Sequence, residues 1–194
     1  MVSGPSGTGK GTVMSEVFKR VKDLHFSVSA TTRAPREGEK DGVNYHFITK
    51  EEFERMINDG EMLEYIEKFS NRYGTPRRAA EKLLEEGKDV LLEIETTGAT
   101  NVKRLMPESV SIFIAPPSLS ELWKRLTGRN TESEEEERVR FKTSIEEIEC
   151  ARGYDYVVIN DEVNVCAETI ASIIVAERSK TSRNGDIIDK ILNN

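Results

Sequence analysis

A glycine-rich segment near the start of the chain, GPSGTGK at residues 4–10, constrains the fold more than any other stretch. Glycines let the backbone curl so that its N–H groups point inward, towards an anion. The spacing G-x-x-x-x-G-K predicts a phosphate-binding loop, with Lys10 as a point charge, between a strand and a helix. Val13, Val17 and Val21, with Phe18, fall on one face of the helix that should follow. The segment therefore predicts a strand, a phosphate loop and a helix in that order.

The two flanks of this loop depart from the usual pattern. Three residues precede Gly4, whereas an ordinary strand has about five. We expect a shortened first strand, or further residues before the printed sequence. Gly11 follows Lys10, where a serine or threonine is usual, and Thr12 comes next. Either a magnesium ion is held mostly by waters and phosphates, which Mg²⁺ tolerates, or Thr12 hydrogen-bonds a phosphate.

Composition limits the class of protein. The 194 residues predict one compact domain with inserted lobes. The net charge of −7 argues against general nucleic-acid binding, so a phosphate site needs a local cluster of Arg and Lys. No apolar run approaches the roughly 20 residues of a membrane span, and no signal peptide is visible. Cys150 and Cys166 have no metal-ligand spacing, and two cysteines fit the reducing cytoplasm.

Apolar segments that alternate with helical ones predict an α/β fold with a parallel sheet covered on both faces. The expected strands are 25–30, 89–95, 110–116 and 156–160, and the expected helices 76–87, one capped by Ser118, 133–150 and 164–178. Residues 33–88 do not follow this alternation of apolar strands and helices. They predict an inserted lobe, with antiparallel strands at 44–48 and 61–69 and a helix capped by Thr49. The division expected is a core (1–32, 89–127 and 136–178), a lobe (33–88), a lid (128–135) and a tail (179–194).

A second constellation lies in the segment SVSATTRAPREGEKDGVNYHF at residues 27–47. Arg33 and Arg36 lie three residues apart in a stretch rich in turn formers, and Tyr45 follows. Two guanidiniums and a phenol make a clamp for a phosphate dianion. The alternative is a pair of solvated surface arginines. A phosphate loop in the same chain favours the clamp.

These segments together resemble the guanylate kinase family. GPSGTGKGT, the 27–47 segment, YGTP, LLEIE, IAPPS, RLTGRN and YDYVVIND occur in the family's order and spacing, from Val2 to about Ala176. The motif S-x-T-T-R-x-P-R-x-G-E is highly specific, whereas the phosphate loop alone is not. The resemblance implies a P-loop three-layer α/β sandwich with a five-stranded parallel sheet, an inserted GMP-binding lobe and a small lid.

The resemblance also implies an activity, partners and a location. It implies transfer of the terminal phosphoryl group of ATP to GMP, and also to dGMP, giving ADP and GDP with Mg²⁺ as cofactor. Such an enzyme supports GTP synthesis and GMP recycling in the cytoplasm. It is expected as a monomer or a homodimer, with ATP and GMP as its partners and neither nucleic acid nor membrane.

Residue by residue, the resemblance implies three groups of site residues. The residues expected to act on the transferring phosphoryl group are Lys10, Arg125, Arg129 and Arg140. Those expected to bind ATP are Gly4, Pro5, Ser6, Gly7, Thr8, Gly9, Lys10, Gly11 and Thr12, with Asn160 near adenine. Those expected to bind GMP are Ser29, Arg33, Arg36, Glu39, Tyr45, Glu64, Tyr73, Thr75 and Glu93.

The chemistry of these residue types agrees with the resemblance. Guanine presents two donors, N1–H and the N2 amino group, on one edge, and a carboxylate such as that of Glu64 can accept both. Phosphoryl transfer needs two anions held in line with their charge neutralised, rather than a strong base. Glu93 and Glu95, two residues apart on a strand, face the same way. They are expected, with Thr12, to hold the waters of the metal rather than to bind it directly.

Two departures and two rival functions stay open at this point. Thr97-Gly98 stands where the family usually has Gln-Gly, so any contact made by that glutamine is in doubt. In the tail, Ile187, Ile188, Ile191 and Leu192 predict either an amphipathic helix that docks on a partner subunit or a frayed terminus. The rivals are a guanylate-kinase-like protein-interaction module and a kinase of sugar bisphosphates. The intact loop argues against the first, and Glu64 with Ser29 and Thr75 against the second.

Overall fold

The computed structural model describes residues 1–68, 70–128 and 133–193, which contain nine strands and eight α-helices. The strands are β1 (Val2–Ser3), β2 (Leu24–Phe26), β3 (Ala30–Thr31), β4 (His46–Phe47), β5 (Met62–Lys68), β6 (Asn71–Pro76), β7 (Asp89–Leu91), β8 (Ile112–Ala115) and β9 (Tyr156–Ile159). The helices are α1 (Lys10–Arg20), α2 (Lys50–Asn58), α3 (Arg77–Glu85), α4 (Thr96–Leu105), α5 (Leu119–Thr127), α6 (Glu134–Glu149), α7 (Val163–Arg178) and α8 (Gly185–Leu192).

The core is built on parallel strands, as predicted. One sheet has the order β1-β8-β9, and β2 pairs with β7 in a second, with every pair parallel. The two sheets meet beyond the end of β7, where Val2 N–H donates to the Leu92 carbonyl at 2.8 Å and Ile94 N–H donates to the Val2 carbonyl at 3.1 Å. The five core strands are thus joined through a single short bridge rather than one continuous ladder.

Helices cover both faces of these strands. Val13 and Val17 of α1 pack with Ile114 of β8 and Ile170 of α7 in the larger apolar cluster. A second cluster joins Leu92 and Ile94 to α4 on another side of the strands. The sequence did not predict α4, because its first turn, Thr-Thr-Gly, is made of poor helix formers. Its buried face is what keeps it helical.

A four-stranded sheet of order β4-β3-β6-β5 forms the lobe. Strands β5, β6 and β3 pair antiparallel, but β3 and β4 pair parallel, so the lobe is mixed. The prediction of one strand over 25–30 is wrong, because β2 joins the core whereas β3 joins the lobe. Strand β6, with the polar sequence NRYGTP, was not predicted. Its pairing with β5, not its own apolarity, makes it a strand.

Side-chain caps fix where three helices begin. Thr49 Oγ1 accepts from the N–H of Glu52, and Ser118 Oγ accepts from the N–H of Glu121, each at 3.1 Å. Both caps were predicted. Ser133 and Glu136 form a reciprocal capping box at the start of α6. Each cap satisfies a backbone donor that the first helical turn leaves unpaired.

The segments outside the core and the lobe are short. Helix α8 exposes its apolar residues Ile187, Ile188, Ile191 and Leu192. The expected lid, 128–135, falls partly outside the described residues, because 129–132 are not among them. None of the described helices is both long and apolar enough to cross a membrane.

Phe53 of α2 is fully buried between Ala30 and Met62 and carries the packing of the lobe. We expect Phe53→Ala to lower the free energy of unfolding by about 3–5 kcal/mol, because it removes a buried ring and leaves a cavity. Urea unfolding measures this. Val43→Ala, at a lobe residue that is 62% exposed, is the matched control and should change stability by under about 0.5 kcal/mol. Equal losses of stability in the two variants would show that Phe53 does not carry the packing of the lobe.

Candidate active site

A cavity of about 230 Å³ lies where the core, the lobe and α6 meet. Its walls come from the loop before α1, the segment after β7, the lobe strands and one face of α6. Eleven of the predicted site residues line it: Ser6, Lys10, Ser29, Arg33, Arg36, Tyr45, Glu64, Tyr73, Glu93, Glu95 and Arg140. Residues that are far apart in the sequence thus converge on one site.

Lys10 opens α1 and points back into the glycine-rich loop. Its Nζ donates to the Gly4 carbonyl at 2.6 Å and to the Pro5 carbonyl at 3.2 Å. Burial lowers the pKa of Lys10, and the charges of Glu95 and Glu93 oppose that effect. A half-buried ammonium held directly by two neutral carbonyls is poorly neutralised, so phosphate oxygens would bind it strongly.

Glycine is required where the loop leaves β1 and where it enters α1. A Cβ on Gly4 would lie 2.3 Å from the Ile114 carbonyl oxygen of β8. Gly9, the residue before α1, has a left-handed φ of 78°. The loop therefore packs against the end of the sheet, and the first N–H groups of α1 stay available to an anion.

Asn160 supports the loop from behind. Its Nδ2 donates to the Thr8 carbonyl at 2.6 Å, and Thr8 Oγ1 donates to the Pro5 carbonyl at 2.8 Å. Asn160 is only 3% exposed and does not line the cavity. The structure therefore gives it a loop-holding contact, and its expected contact with adenine stays a prediction.

Glu64 lies at the lobe end of the cavity and is 6% exposed. Its Oε1 accepts from Thr75 Oγ1 at 2.8 Å, and Ser29 lies on the wall of the same cavity. Burial raises the pKa of Glu64, while hydrogen bonds from Thr75 oppose the rise. A Cβ on Gly98 would lie within van der Waals overlap of Oε2, at 2.4 Å, so this carboxylate keeps its position only because residue 98 is glycine.

The two arginines of the predicted clamp both contact Glu39, Arg33 through its side chain and Arg36 through its backbone. Arg33 donates to both carboxylate oxygens of Glu39, at 2.9 and 3.0 Å, and the Arg36 N–H donates to Glu39 at 2.7 Å. The Arg33 guanidinium carbon lies 5.5 Å from the centroid of the Tyr45 ring. Hydrogen bonds from Arg33 hold the pKa of Glu39 below its ordinary value. Glu39 is absent from the cavity wall and contacts Arg33 and Arg36, so its expected contact with GMP stays a prediction.

Two carboxylates line the cavity near Lys10. Glu93 and Glu95 are half-buried and alternate with the buried Leu92 and Ile94, as the predicted strand pattern requires. Burial raises the pKa of Glu93, and the charge of Lys10 opposes that rise. Thr12 is exposed and does not line the cavity. In the described ranges, no three His, Cys, Asp or Glu side chains are grouped to hold a metal by themselves.

Of the three arginines expected around the phosphoryl group, the structure places Arg140 on the cavity wall. Arg140 is half-buried and lines the cavity. Arg125 donates to the Asn160 carbonyl and to Glu121 Oε1, each at 3.0 Å, and is absent from the wall. Arg129 falls outside the described residues. The roles of these two stay predictions.

Sequence reasoning missed several wall residues, namely Ile66, Lys68, Gly74, Ile94, Thr143, Ser144 and Glu147. Gly74 and Ile94 each lie between two predicted site residues. The others carried a periodicity signal, because alternate residues of β5 after Glu64 share its face. Residues 140, 143, 144 and 147 have the i, i+3, i+4, i+7 spacing of one helix face. Extending the predictions along the Glu64 face of β5 and the Arg140 face of α6 identifies the remaining five wall residues.

Known proteins with similar sequences agree on one family. The family model described as guanylate kinase matches residues 1–177. The chain belongs to the guanylate kinase family. A guanylate kinase of Clostridioides difficile (strain 630) is 52% identical over 188 residues, which are 97% of this chain and 92% of that protein. One of Bacillus anthracis is 52% identical over 185 residues, 94% of this chain and 90% of that protein.

A solved structure supports the same family and confirms the fold class. The crystal structure of guanylate kinase from Anaplasma phagocytophilum superposes with a TM-score of 0.78 at 38% identity, and the match covers 94% of this chain and 86% of that one. The guanylate kinase family model ends at residue 177, so α8 lies beyond it.

The support that Asn160 gives to the loop can be measured. We expect Asn160→Ala to lower the free energy of unfolding by about 1–3 kcal/mol, because the buried Thr8 carbonyl loses its donor. Urea unfolding gives this value. Asn164→Ala, on an exposed pair with Arg20, is the control and should have little effect. A stable Asn160→Ala protein would show that the loop does not need this contact.

Proposed function

We propose that the chain transfers the terminal phosphoryl group of ATP to GMP, and also to dGMP, giving ADP and GDP. One observation carries the proposal. A single cavity is lined by Lys10 of the phosphate loop, from the core, and by the buried Glu64 of the lobe, with Arg33 and Arg36 on its wall. This arrangement suits two phosphorylated nucleotides that meet at their phosphates. Membership of the guanylate kinase family supports it independently.

Glu64 supports guanine as the base of the acceptor. Its carboxylate is buried, and the hydrogen bond from Thr75 occupies only part of what its two oxygens can accept. The N1–H and N2 amino donors of guanine satisfy that remaining capacity, whereas adenine offers no such pair. A sugar bisphosphate has hydroxyl donors but no planar edge with two adjacent N–H groups, so it matches this buried carboxylate less well. This counts against the sugar-bisphosphate kinase.

The clamp supports a phosphate on that acceptor. Arg33, Arg36, Tyr45 and Tyr73 line the same cavity as Glu64 and Lys10. Guanidiniums and phenols donate to phosphate oxygens, and the contact with Glu39 orients Arg33 within the protein itself. In this proposal the phosphate of GMP lies against these four side chains.

Lys10 and the loop support ATP as the donor. On binding, the phosphate oxygens of ATP would replace the Gly4 and Pro5 carbonyls as partners of Lys10. Lys10 then stabilises charge as the phosphoryl group moves, and no general base is needed. Arg140, on the same wall, can share that charge. Arg125 and Arg129 are proposed to join it.

The donor set also fits Mg²⁺ bound with ATP. Glu93 and Glu95 are oxygen donors beside Lys10, and Mg²⁺ usually keeps several waters that such carboxylates can accept from. When bound, the ion neutralises charge on the ATP phosphates. Glu93 and Glu95 would orient its waters, and Thr12, exposed on α1, is less well placed for this.

A protein-interaction module is the rival of another class. Such a module has no need for a half-buried lysine between loop carbonyls or for a carboxylate facing Gly98. The decisive test is a coupled ADP-release assay with ATP and, in turn, GMP, dGMP, AMP, UMP and ribose bisphosphate. Release with GMP and dGMP alone supports the proposal. No release with any acceptor, from folded protein, would favour the module.

Lys10→Met should lower kcat about 100- to 1,000-fold while GMP affinity changes little. The reason is that Lys10 acts on the donor phosphates and gains strength as charge develops. Steady-state kinetics and calorimetry with GMP measure the two effects. Lys19→Met, at a lysine whose side chain is 66% exposed, should match the wild type. A near-normal kcat of the Lys10→Met variant would show that Lys10 does not contribute to phosphoryl transfer.

Glu64→Gln should lower kcat/KM with GMP about 30- to 1,000-fold, equivalent to about 2–4 kcal/mol. The substitution keeps the shape but turns an acceptor into a donor that faces the donors of guanine. Activity with AMP should start near zero and fall far less. The ratio of GMP to AMP activity is the readout.

Gly98→Ala is the companion variant, since its methyl group would displace Glu64 Oε2 without changing any charge. It should shift the GMP to AMP ratio in the same direction. Both proteins are first checked for a melting temperature near that of the wild type. A ratio that neither variant moves would mean that Glu64 does not read the base.

A further inference from the structure

We propose that Lys68 is a positioning residue, which holds Glu95 and Glu147 together and thereby sets the place of Arg140 over the cavity. This inference rests on the proposed function for its kinetic consequences only. It starts from a contact between three separate segments. Lys68 Nζ donates to Glu95 Oε2 at 2.9 Å and to Glu147 Oε1 at 3.0 Å. Lys68 ends β5 in the lobe, Glu95 precedes α4 in the core, and Glu147 lies on α6.

The three side chains of this contact are partly shielded from solvent, which strengthens their ionic interaction. The side chains of Lys68, Glu95 and Glu147 are 24%, 37% and 10% exposed. Two carboxylates share one ammonium, so without it they would face each other in a half-buried space. Burial would lower the pKa of Lys68, but the charges of Glu95 and Glu147 outweigh it and raise the pKa, so the lysine stays charged. The bridge is therefore an ionic contact between the lobe, the core and α6.

Glu147 transmits this contact to Arg140 through α6. The two residues lie seven apart, about two helical turns, and both line the cavity. Anchoring Glu147 fixes the rotation of the helix face that carries Arg140. Glu64 lies four residues before Lys68 on β5, roughly 13 Å along the strand. The bridge is thus expected to act on Arg140 through α6, and to affect Glu64 less, through Gly98 in the first turn of α4.

The chain contains its own reporter of α6. Trp123, the single tryptophan, packs edge-to-face on Phe141 with ring centroids 5.1 Å apart. Phe141 follows Arg140 on α6. A rotation or shift of α6 changes the surroundings of the indole and hence its fluorescence. This readout needs no substrate and no activity.

The test compares Lys68→Met, Lys68→Arg and Glu147→Gln with the wild type and with Lys19→Met. Lys68→Met should lower kcat about 10- to 100-fold, because small misplacement of a phosphate-binding group is costly. Its GMP dissociation constant should change less than about threefold, and its Trp123 emission should shift. Glu147→Gln should change kcat and emission in the same direction. Lys68→Arg keeps the charge and should restore most of both.

Several results would overturn the proposal. The first is a Lys68→Met variant whose kcat equals that of the wild type. The second is a Lys68→Met variant with a lowered kcat but unchanged Trp123 emission, because Lys68 would then act on the substrate directly. If Lys68→Met does not fold, Glu147→Gln and Lys68→Arg give the same two readouts. If the wild type itself shows no transfer, the proposed function fails, while the emission of the variants still decides whether Lys68 holds α6.

Discussion

The site depends on one half-buried ammonium group and on how its charge is balanced. Lys10 is partly shielded from water, which lowers its pKa, so nearby groups must meet its positive charge. Two loop carbonyls meet it directly, and Glu93 and Glu95 act through space. None of these partners is as good as a phosphate oxygen. The loop is therefore held by contacts of its own, and in the proposed function a phosphate improves a contact that already exists.

The need to balance a charged group that is shielded from water also distinguishes the lobe side of the cavity from its loop side. At the lobe end the buried group is the Glu64 carboxyl, whose pKa is raised by burial while hydrogen bonds from Thr75 oppose the rise. It needs donors, and a base edge with two N–H groups supplies them. At the loop end the half-buried charge is positive and needs acceptors, which phosphates supply. A nucleotide monophosphate offers donors on its base and acceptors on its phosphate, so its polarity matches that of the cavity.

The sequence predicts local features well and long-range ones poorly. The phosphate loop, the caps at Thr49 and Ser118 and the Arg33–Arg36 clamp are each written in a few adjacent residues. Lys68 contacts Glu95 and Glu147, which lie 27 and 79 positions further along the sequence. No local sequence pattern encodes these contacts. The split of 25–30 into β2 and β3 likewise depends on which strands pair with each half. Helix α4 was missed because burial, rather than the propensity of its residues, makes it helical.

That missed helix links the two ends of the site. Glu95 stands just before its first residue and, instead of capping it, pairs with Lys68 at the phosphate end. Gly98, in the first turn, gives the Glu64 carboxylate the space it occupies at the base end. Thr97, the departure from the family's usual glutamine, is exposed between them. A small movement of the first turn of α4 would therefore change both the position of the Glu64 carboxylate and the charge bridge of Lys68. In the proposed function, this turn thus couples recognition of the base to the residues around the phosphates.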